Sequence, residues 1–97
     1  MISLLIRDKE TIRNNHRGRL DIMADILENS YGSMKKTYFM YRCNLSFRQL
    51  KYYLHFLTSR GLLYVVNEDS NPTPVYKITE KGKKFLKAYK NLMALMK

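Results

Sequence analysis

The stretch NLSFRQLKYYLHFLTSRGLL, from Asn44 to Leu63, carries its own start and stop signals for a helix. Ser46 is a good N-cap and Gln49 follows at the spacing of a capping box, in which the two side chains satisfy each other's backbone donors. Leu45 precedes the cap and Leu50 lies four residues into the helix, as a hydrophobic staple requires. Leu50, Tyr53, Leu54 and Leu57 then recur at helical spacing and face a core. Gly61 can adopt the left-handed conformation that ends a helix. The opposite face carries Arg48, Lys51, Tyr52 and His55, with Ser46 and Phe47 at its start, and has no carboxylate. Arg can fork onto guanine, while Lys, Ser and Tyr can hold phosphates. A solvated helix with ordinary surface charges has the same pattern, so the rest of the chain decides.

Charge is distributed unevenly. The formal net charge is +10, and from Asn29 to Asn67 there are six Lys/Arg and no Asp or Glu. From Lys81 to Lys97 there are six Lys and again no acid. A field of that kind suits a polyanion, nucleic acid first and an anionic membrane surface second. A chain of 97 residues makes one domain with an appended helix, and its modest core would gain from dimerisation. The one cysteine, Cys43, excludes an internal disulfide and reads as a small buried hydrophobe in a reducing compartment. The sharper alternative is a reactive thiol. The apolar run Ile2 to Ile6, broken by Ser3, is too short to span a bilayer. A soluble protein, cytoplasmic and nucleoid-associated, without a membrane partner, is expected.

Before the capped helix, Arg19 to Ser30 reads as a first helix with the stripe Leu20, Met23, Ala24, Leu27 and Tyr31. Asp21, Asp25 and Glu28 form an acidic edge beside that stripe. They are a conceivable metal site for nuclease chemistry, but the simpler expectation is exposed acids with Asp21 paired to Arg17. Ser33 is placed to cap a short second helix over Met34 to Tyr41, with Thr37 as an alternative start. That puts Lys35 and Lys36 in a first turn whose free amides also suit a phosphate. Arg42 and Asn44 follow in the turn. The N-terminal segment, with Arg13, His16, Arg17 and Arg19 at its end, is either an arm touching phosphates or a packed extension.

After Gly61 the period changes. Leu62 to Val66 reads as a strand, Asn67 to Pro74 as a turn-rich loop of eight residues, and Val75 to Ile78 as a second strand. A long loop on a hairpin after a helix-turn-helix is the layout of a wing. Glu68 and Asp69 would repel phosphate there, leaving Asn71, Thr73 or Lys77 for any contact. Thr79 caps a last helix from Glu80 to about Met96, with Gly82 a mild cost. Within it Phe85, Tyr89, Leu92 and Met96 are spaced as a coiled-coil seam, widened by Leu86 and Met93. Its second half lacks an evident partner within the chain, so a partner helix is expected.

Three stretches carry a family resemblance: Tyr38 to Leu54 (YFMYRCNLSFRQLKYYL), Gly61 with Leu62, and Tyr76 to Leu86 (YKITEKGKKFL). The first holds a pattern MY-x-x-N-LS-[YF] over Met40 to Phe47. The last holds Y-x-[LI]-T-x-KG over Tyr76 to Gly82. Together they resemble an archaeal winged helix-turn-helix family whose members include small chromatin-associated DNA-binding proteins, dimerised through an antiparallel C-terminal helix, and transcription regulators. The N-terminal extension here is longer than the family's, and the last helix shorter than in its chromatin-type members.

The expectation is therefore an α+β fold, mostly α: a winged helix-turn-helix of three helices and a two-stranded wing hairpin, plus a C-terminal helix. Residues 1–17 form an extension, 18–79 the winged-helix DNA-binding domain and 80–97 a dimerisation helix. With the acid-free basic segment over the helix-turn-helix region, the resemblance points to a homodimeric transcription regulator on double-stranded DNA, and the residue types and spacing put Lys35, Lys36, Arg42, Ser46, Phe47, Arg48, Lys51, Tyr52 and His55 at the DNA. Phe85, Tyr89, Leu92, Met93 and Met96 would dimerise it. An architectural DNA-binding protein and a protein-interaction winged helix are the alternatives. No nucleophile–base pair, metal-ligand spacing or phosphate-cradling glycine loop is evident, so no catalytic residue, cofactor, metal or small-molecule substrate is expected.

Overall fold

The computed structural model describes residues 17–68 and 71–97. Within these residues four helices and three strands follow in the order α1 (Arg19–Glu28), β1 (Met34–Lys35), α2 (Lys36–Cys43), α3 (Phe47–Ser59), β2 (Leu63–Glu68), β3 (Asn71–Ile78) and α4 (Glu80–Leu95). The strands form one antiparallel sheet in the order β1-β3-β2. The expected α+β winged-helix architecture is present, with a strand added to the sheet.

That strand replaces a helix start. Ser33 does not cap α2. Met34 and Lys35 instead pair with Tyr76 and Val75 of β3, and Lys35 takes the N-cap position without a side-chain cap. Pairing with β3 satisfies donors and acceptors of Met34 and Lys35 that a helical turn would have left free.

The hairpin also differs. Glu68 pairs with Asn71, so two residues and not eight separate β2 from β3. Pro72 and Pro74 argued for a loop, because proline donates nothing to a ladder. They are tolerated because β1 pairs only with Val75 and Tyr76, leaving β3 an edge strand beyond them. The register shifts between Val66 and Glu68, where β3 has extra residues opposite β2.

The core lies between α1, α2, α3 and the sheet. Phe39, Leu50, Leu57, Ile26 and Leu27 are fully buried, and Leu45, Tyr53, Leu54, Leu63, Tyr76 and Ile78 nearly so. The stripe expected on α1 is shifted. Ile22 and Ile26 are buried with Met23, Ala24 and Leu27, whereas Leu20 and Tyr31 are half exposed. Because α1 packs against α2 on one side and α4 on another, its apolar arc is wider than one stripe and centred elsewhere. Ser30 is buried, donating its hydroxyl to the Leu27 carbonyl while its own carbonyl accepts the Ile78 amide at 2.8 Å.

The acidic edge of α1 is a packed seam. Arg17 pairs with Asp25 at 3.0 Å, not with Asp21. Asp21 accepts the Gly18 amide at 3.0 Å and the Tyr89 hydroxyl of α4. Glu28 pairs with Lys90 of α4 at 2.7 Å. Each carboxylate is engaged, and no group able to hold a metal exists among the described residues. Hydrogen bonding to Asp21 pushes the Tyr89 phenol up to about 12.

Arg17 also donates to the Cys43 and Asn44 carbonyls, at 2.6 and 3.4 Å, and so closes the C-terminus of α2. Asn44 adopts the left-handed conformation there, which starts the turn into α3. Cys43 is buried, and burial, reinforced by Asp25, raises its thiol to about 12. A thiol held that high is not a nucleophile, so the buried-hydrophobe expectation stands and the reactive-thiol alternative falls.

The pattern from Tyr76 to Gly82 is a latch joining the end of α3 to the start of α4. Tyr76 meets Phe39 edge-on at 6.5 Å. The Thr79 hydroxyl caps α4 by accepting the Gly82 amide at 2.9 Å and donates to the Gly61 carbonyl at 2.6 Å. Lys81 donates to the Arg60 carbonyl at 2.8 Å. Gly61, with φ of 75°, ends α3 as expected. Gly82 is more than a mild cost: it allows α4 to touch the Leu62 backbone, and a Cβ there would lie 2.3 Å from the Leu62 oxygen. The Ile2 to Ile6 segment, Arg13 and His16 lie outside the described residues.

Candidate nucleic-acid interface

The capping box of α3 forms as its sequence requires. Gln49 N–H donates to Ser46 Oγ at 3.1 Å and Ser46 N–H donates to Gln49 Oε1 at 3.0 Å. A cap of this kind stabilises a helix by about 1 kcal/mol. It fixes where the exposed face begins, because at 3.6 residues per turn the burial of Leu50, Tyr53, Leu54 and Leu57 sets every other azimuth.

Arg48 and His55 then point directly away from the core and are exposed. Lys51 leans toward the hairpin, into a cleft lined by Lys36, His55, Thr58 and Val65. Phe47, 55 % exposed at the first position of α3, borders a groove with Lys35, Lys36, Met40, Thr73 and Pro74. The pairing of β1 with β3 holds Lys35 and Lys36 against this groove. The first amides of α2 have no side-chain cap, which leaves donors available to an anion.

Two of the sequence-selected residues sit apart. Arg42 lies on the other flank of α2, with Nε 3.5 Å from Asn29 Oδ1. Tyr52 turns away from the hairpin. The Arg19 guanidinium lies over its ring at 5.4 Å and donates to its hydroxyl. Tyr52 stacks on Phe56 at 6.4 Å, and Arg60 covers Phe56 at 4.9 Å. A column of Arg19, Tyr52, Phe56 and Arg60 therefore flanks the exposed face of α3. Arg60 was legible in principle, since it follows Phe56 at i+4. Arg19, 33 residues from Tyr52, is brought there by tertiary packing alone.

Among the described residues no carboxylate competes on this face. Asp21, Asp25, Glu28 and Glu80 are all bonded on or beside α1 and α4. Neither Arg48 nor Lys51 has an ion pair among the described residues. Two cations without ion pairs, on a helix face without carboxylates, have the chemistry to meet phosphates and base edges.

At the opposite end, α4 divides by depth. Leu86 is buried, Phe85 and Tyr89 pack against the core, and the Tyr89 hydroxyl is taken by Asp21. Leu92 is 47 %, Met96 71 % and Leu95 83 % exposed. Tyr89, placed by its spacing in the same seam as Leu92, is thus occupied within the chain, while Leu95, outside that seam, is the most exposed large apolar residue of α4. Leu20 joins Phe85, Ala88 and Leu92 around a shallow apolar hollow. Among the described residues no helix is long and apolar enough to cross a membrane.

A family model described as winged helix-turn-helix matches residues 16–97. Among solved structures the chain is similar to Sso10a-2, a DNA-binding protein from Sulfolobus solfataricus, with 30 % identity over 82 % of each chain and a TM-score of 0.75. It is also similar to the adhesin competence repressor AdcR of Streptococcus pyogenes, with 14 % identity over 97 % of this chain and 71 % of that one and a TM-score of 0.69. The MepR protein of S. aureus, in its DNA complex, has 14 % identity over 99 % of this chain and 82 % of that one and a TM-score of 0.67. At 14 % identity the two bacterial proteins share the fold alone. No curated protein sequence matches the chain.

Proposed function

Because the chain belongs to the winged helix-turn-helix family, we propose that it binds double-stranded DNA through α3, as a homodimeric, non-enzymatic transcription regulator. The observation that carries this reading is the coincidence of free Arg48 and Lys51, on a face without carboxylates, with Lys35 and Lys36 beside the start of the same helix. Arg48 reads base edges in the major groove, where a bidentate guanine contact discriminates by about 1–3 kcal/mol. Phe47 meets thymine methyls, and His55 lies along the same groove. Lys35, Lys36 and Lys51 neutralise phosphates, as do the flanking Arg19 and Arg60, and the exposed cap Ser46 donates its hydroxyl to one. The DNA-binding part extends into the first half of α4, and only the last turns serve the dimer.

Selection from random duplexes at about 150 mM salt tests regulation against packaging, since salt sets the non-specific background. A regulator yields a motif preferred by about 10³-fold or more. Duplex binding without enrichment makes the protein architectural, and no duplex affinity overturns the reading.

The exposed end of α4 supports the dimer. Leu92 and Leu95 of two copies, packed together, would remove the exposed part of four leucines from water, at up to about 1.5–3 kcal/mol for each Leu95 and about half of that for each Leu92. Changing both to Glu is expected to raise the dimer dissociation constant about a hundred-fold or more, read by sedimentation, with the helical circular dichroism unchanged. A wild-type chain that sediments as a monomer at high micromolar concentration rules the dimer out. In a two-fold dimer the two α3 helices would meet sites about 34 Å apart or a multiple of it.

A further inference from the structure

In the stretch Met40 to Phe47, Tyr41 is employed by neither the fold nor the α3 face. Met40 packs on the core, Cys43 and Leu45 are buried, Asn44 makes the left-handed turn and Ser46 caps α3. Tyr41 is 90 % exposed, the most exposed large apolar side chain of the described residues. It makes no hydrogen bond or ring contact among them. An unpartnered tyrosine of that size is an uncovered aromatic plane. It borders a shallow groove with Ser33, Lys35, Thr37, Tyr38 and Arg42. Arg42 is turned away from the α3 groove, and among the described residues its exposed guanidinium donates only through Nε, to Asn29 Oδ1 at 3.5 Å, which leaves its two terminal nitrogens for this groove. Lys35 reaches both grooves. No acid occurs anywhere from Asn29 to Asn67.

A helix surface that pairs an open aromatic ring with cations at both ends fits an unpaired nucleotide. The base stacks on the ring and the phosphates meet the cations, as on sequence-tolerant single-strand platforms. A duplex offers no free base face to such a ring, because its bases are stacked inside. We propose that this groove of α2 is a second nucleic-acid site, which binds single-stranded DNA or RNA by stacking a base on Tyr41 with Lys35 and Arg42 on the flanking phosphates. The site lies on a different flank of α2 from the duplex face and shares only Lys35 with it, while the aromatic platform belongs to this site alone.

Fluorescence anisotropy of labelled single strands of about 15 nucleotides, one of deoxythymidine and one of uridine, tests it alongside a labelled duplex. Tyr41→Ala is expected to lose roughly ten-fold or more of single-strand affinity, whereas Tyr41→Phe keeps it within about two-fold, since stacking needs the ring and not the hydroxyl. Duplex affinity should stay within about two-fold in both variants. The exposure of Tyr41 means that neither change disturbs the fold. The relative affinity of the two strands reports whether DNA or RNA is preferred. The proposal is overturned if neither single strand binds, if Tyr41→Ala binds them like the wild type, or if single-strand and duplex affinity fall together. If the duplex does not bind but single-strand affinity depends on Tyr41, the reading of α3 fails and this one stands.

Discussion

Gly82→Ala is expected to destabilise the domain by about 2 kcal/mol or more, enough to lower Tm by roughly 10 °C or more. The substitution looks favourable in isolation, because alanine gains about 1 kcal/mol over glycine inside a helix. The tertiary contact reverses the sign. The new Cβ would lie 2.3 Å from the Leu62 oxygen, 2.7 Å from Ile78 Cγ1 and 3.2 Å from the Leu62 carbonyl carbon. The Leu62 carbonyl cannot retreat freely, since it accepts the Thr79 amide at 3.1 Å. Nor can α4 move away without lifting the Thr79 and Lys81 bonds from Gly61 and Arg60. For a domain whose whole stability is about 5–10 kcal/mol, a loss of that size is a large share. Thermal unfolding followed by circular dichroism decides it. An unchanged or higher Tm would mean that α4 does not approach the sheet this closely.

The second large effect is on binding. With both Arg48 and Lys51 changed to Ala, duplex affinity near 150 mM salt is expected to fall about a hundred-fold. The slope of log affinity against log salt should flatten by about 0.9 for each phosphate that is no longer neutralised. Both side chains are exposed and lie outside every ion pair among the described residues, so their removal leaves the fold intact. The two readouts separate the roles. A residue on a base edge changes affinity and sequence preference with little effect on the slope, whereas a residue on a phosphate moves the slope. Unchanged affinity and slope would take α3 out of the groove.

These two effects arise at different layers of the chain. The exposed placement of Arg48 and Lys51 was legible because α3 is specified locally. Ser46, Gln49, Gly61 and the leucine spacing fix its ends and rotation within twenty residues. The consequence of Gly82 was not legible, because it depends on a backbone twenty residues upstream that pattern reading cannot place beside it. Ser33 and the two prolines misled for a related reason. Each has a strong local preference, for a cap or for a loop, and each was overridden by pairing between β1, β2 and β3. Strand pairing is a contact between distant segments, and its gain exceeds a propensity of a fraction of a kcal/mol.

The same division holds across the functional faces. Residue order alone specified a capped cationic α3, the period change into a hairpin, the Thr79 cap of α4 and the absence of acids from the middle of the chain. Those properties follow from residue identity and short-range spacing, which the helix and strand periods convert into faces. Which cations are free was settled by the packed fold and by nothing short of it. Packing bound Arg17 to Asp25 and to the end of α2, laid Arg19 on Tyr52 and tied Lys90 to Glu28. It left Arg48 and Lys51 without ion pairs among the described residues, and it engaged Tyr89 with Asp21 while leaving Leu92 and Leu95 in the open. A charge count cannot foresee this, because whether a side chain faces a partner or water depends on how the helices pack.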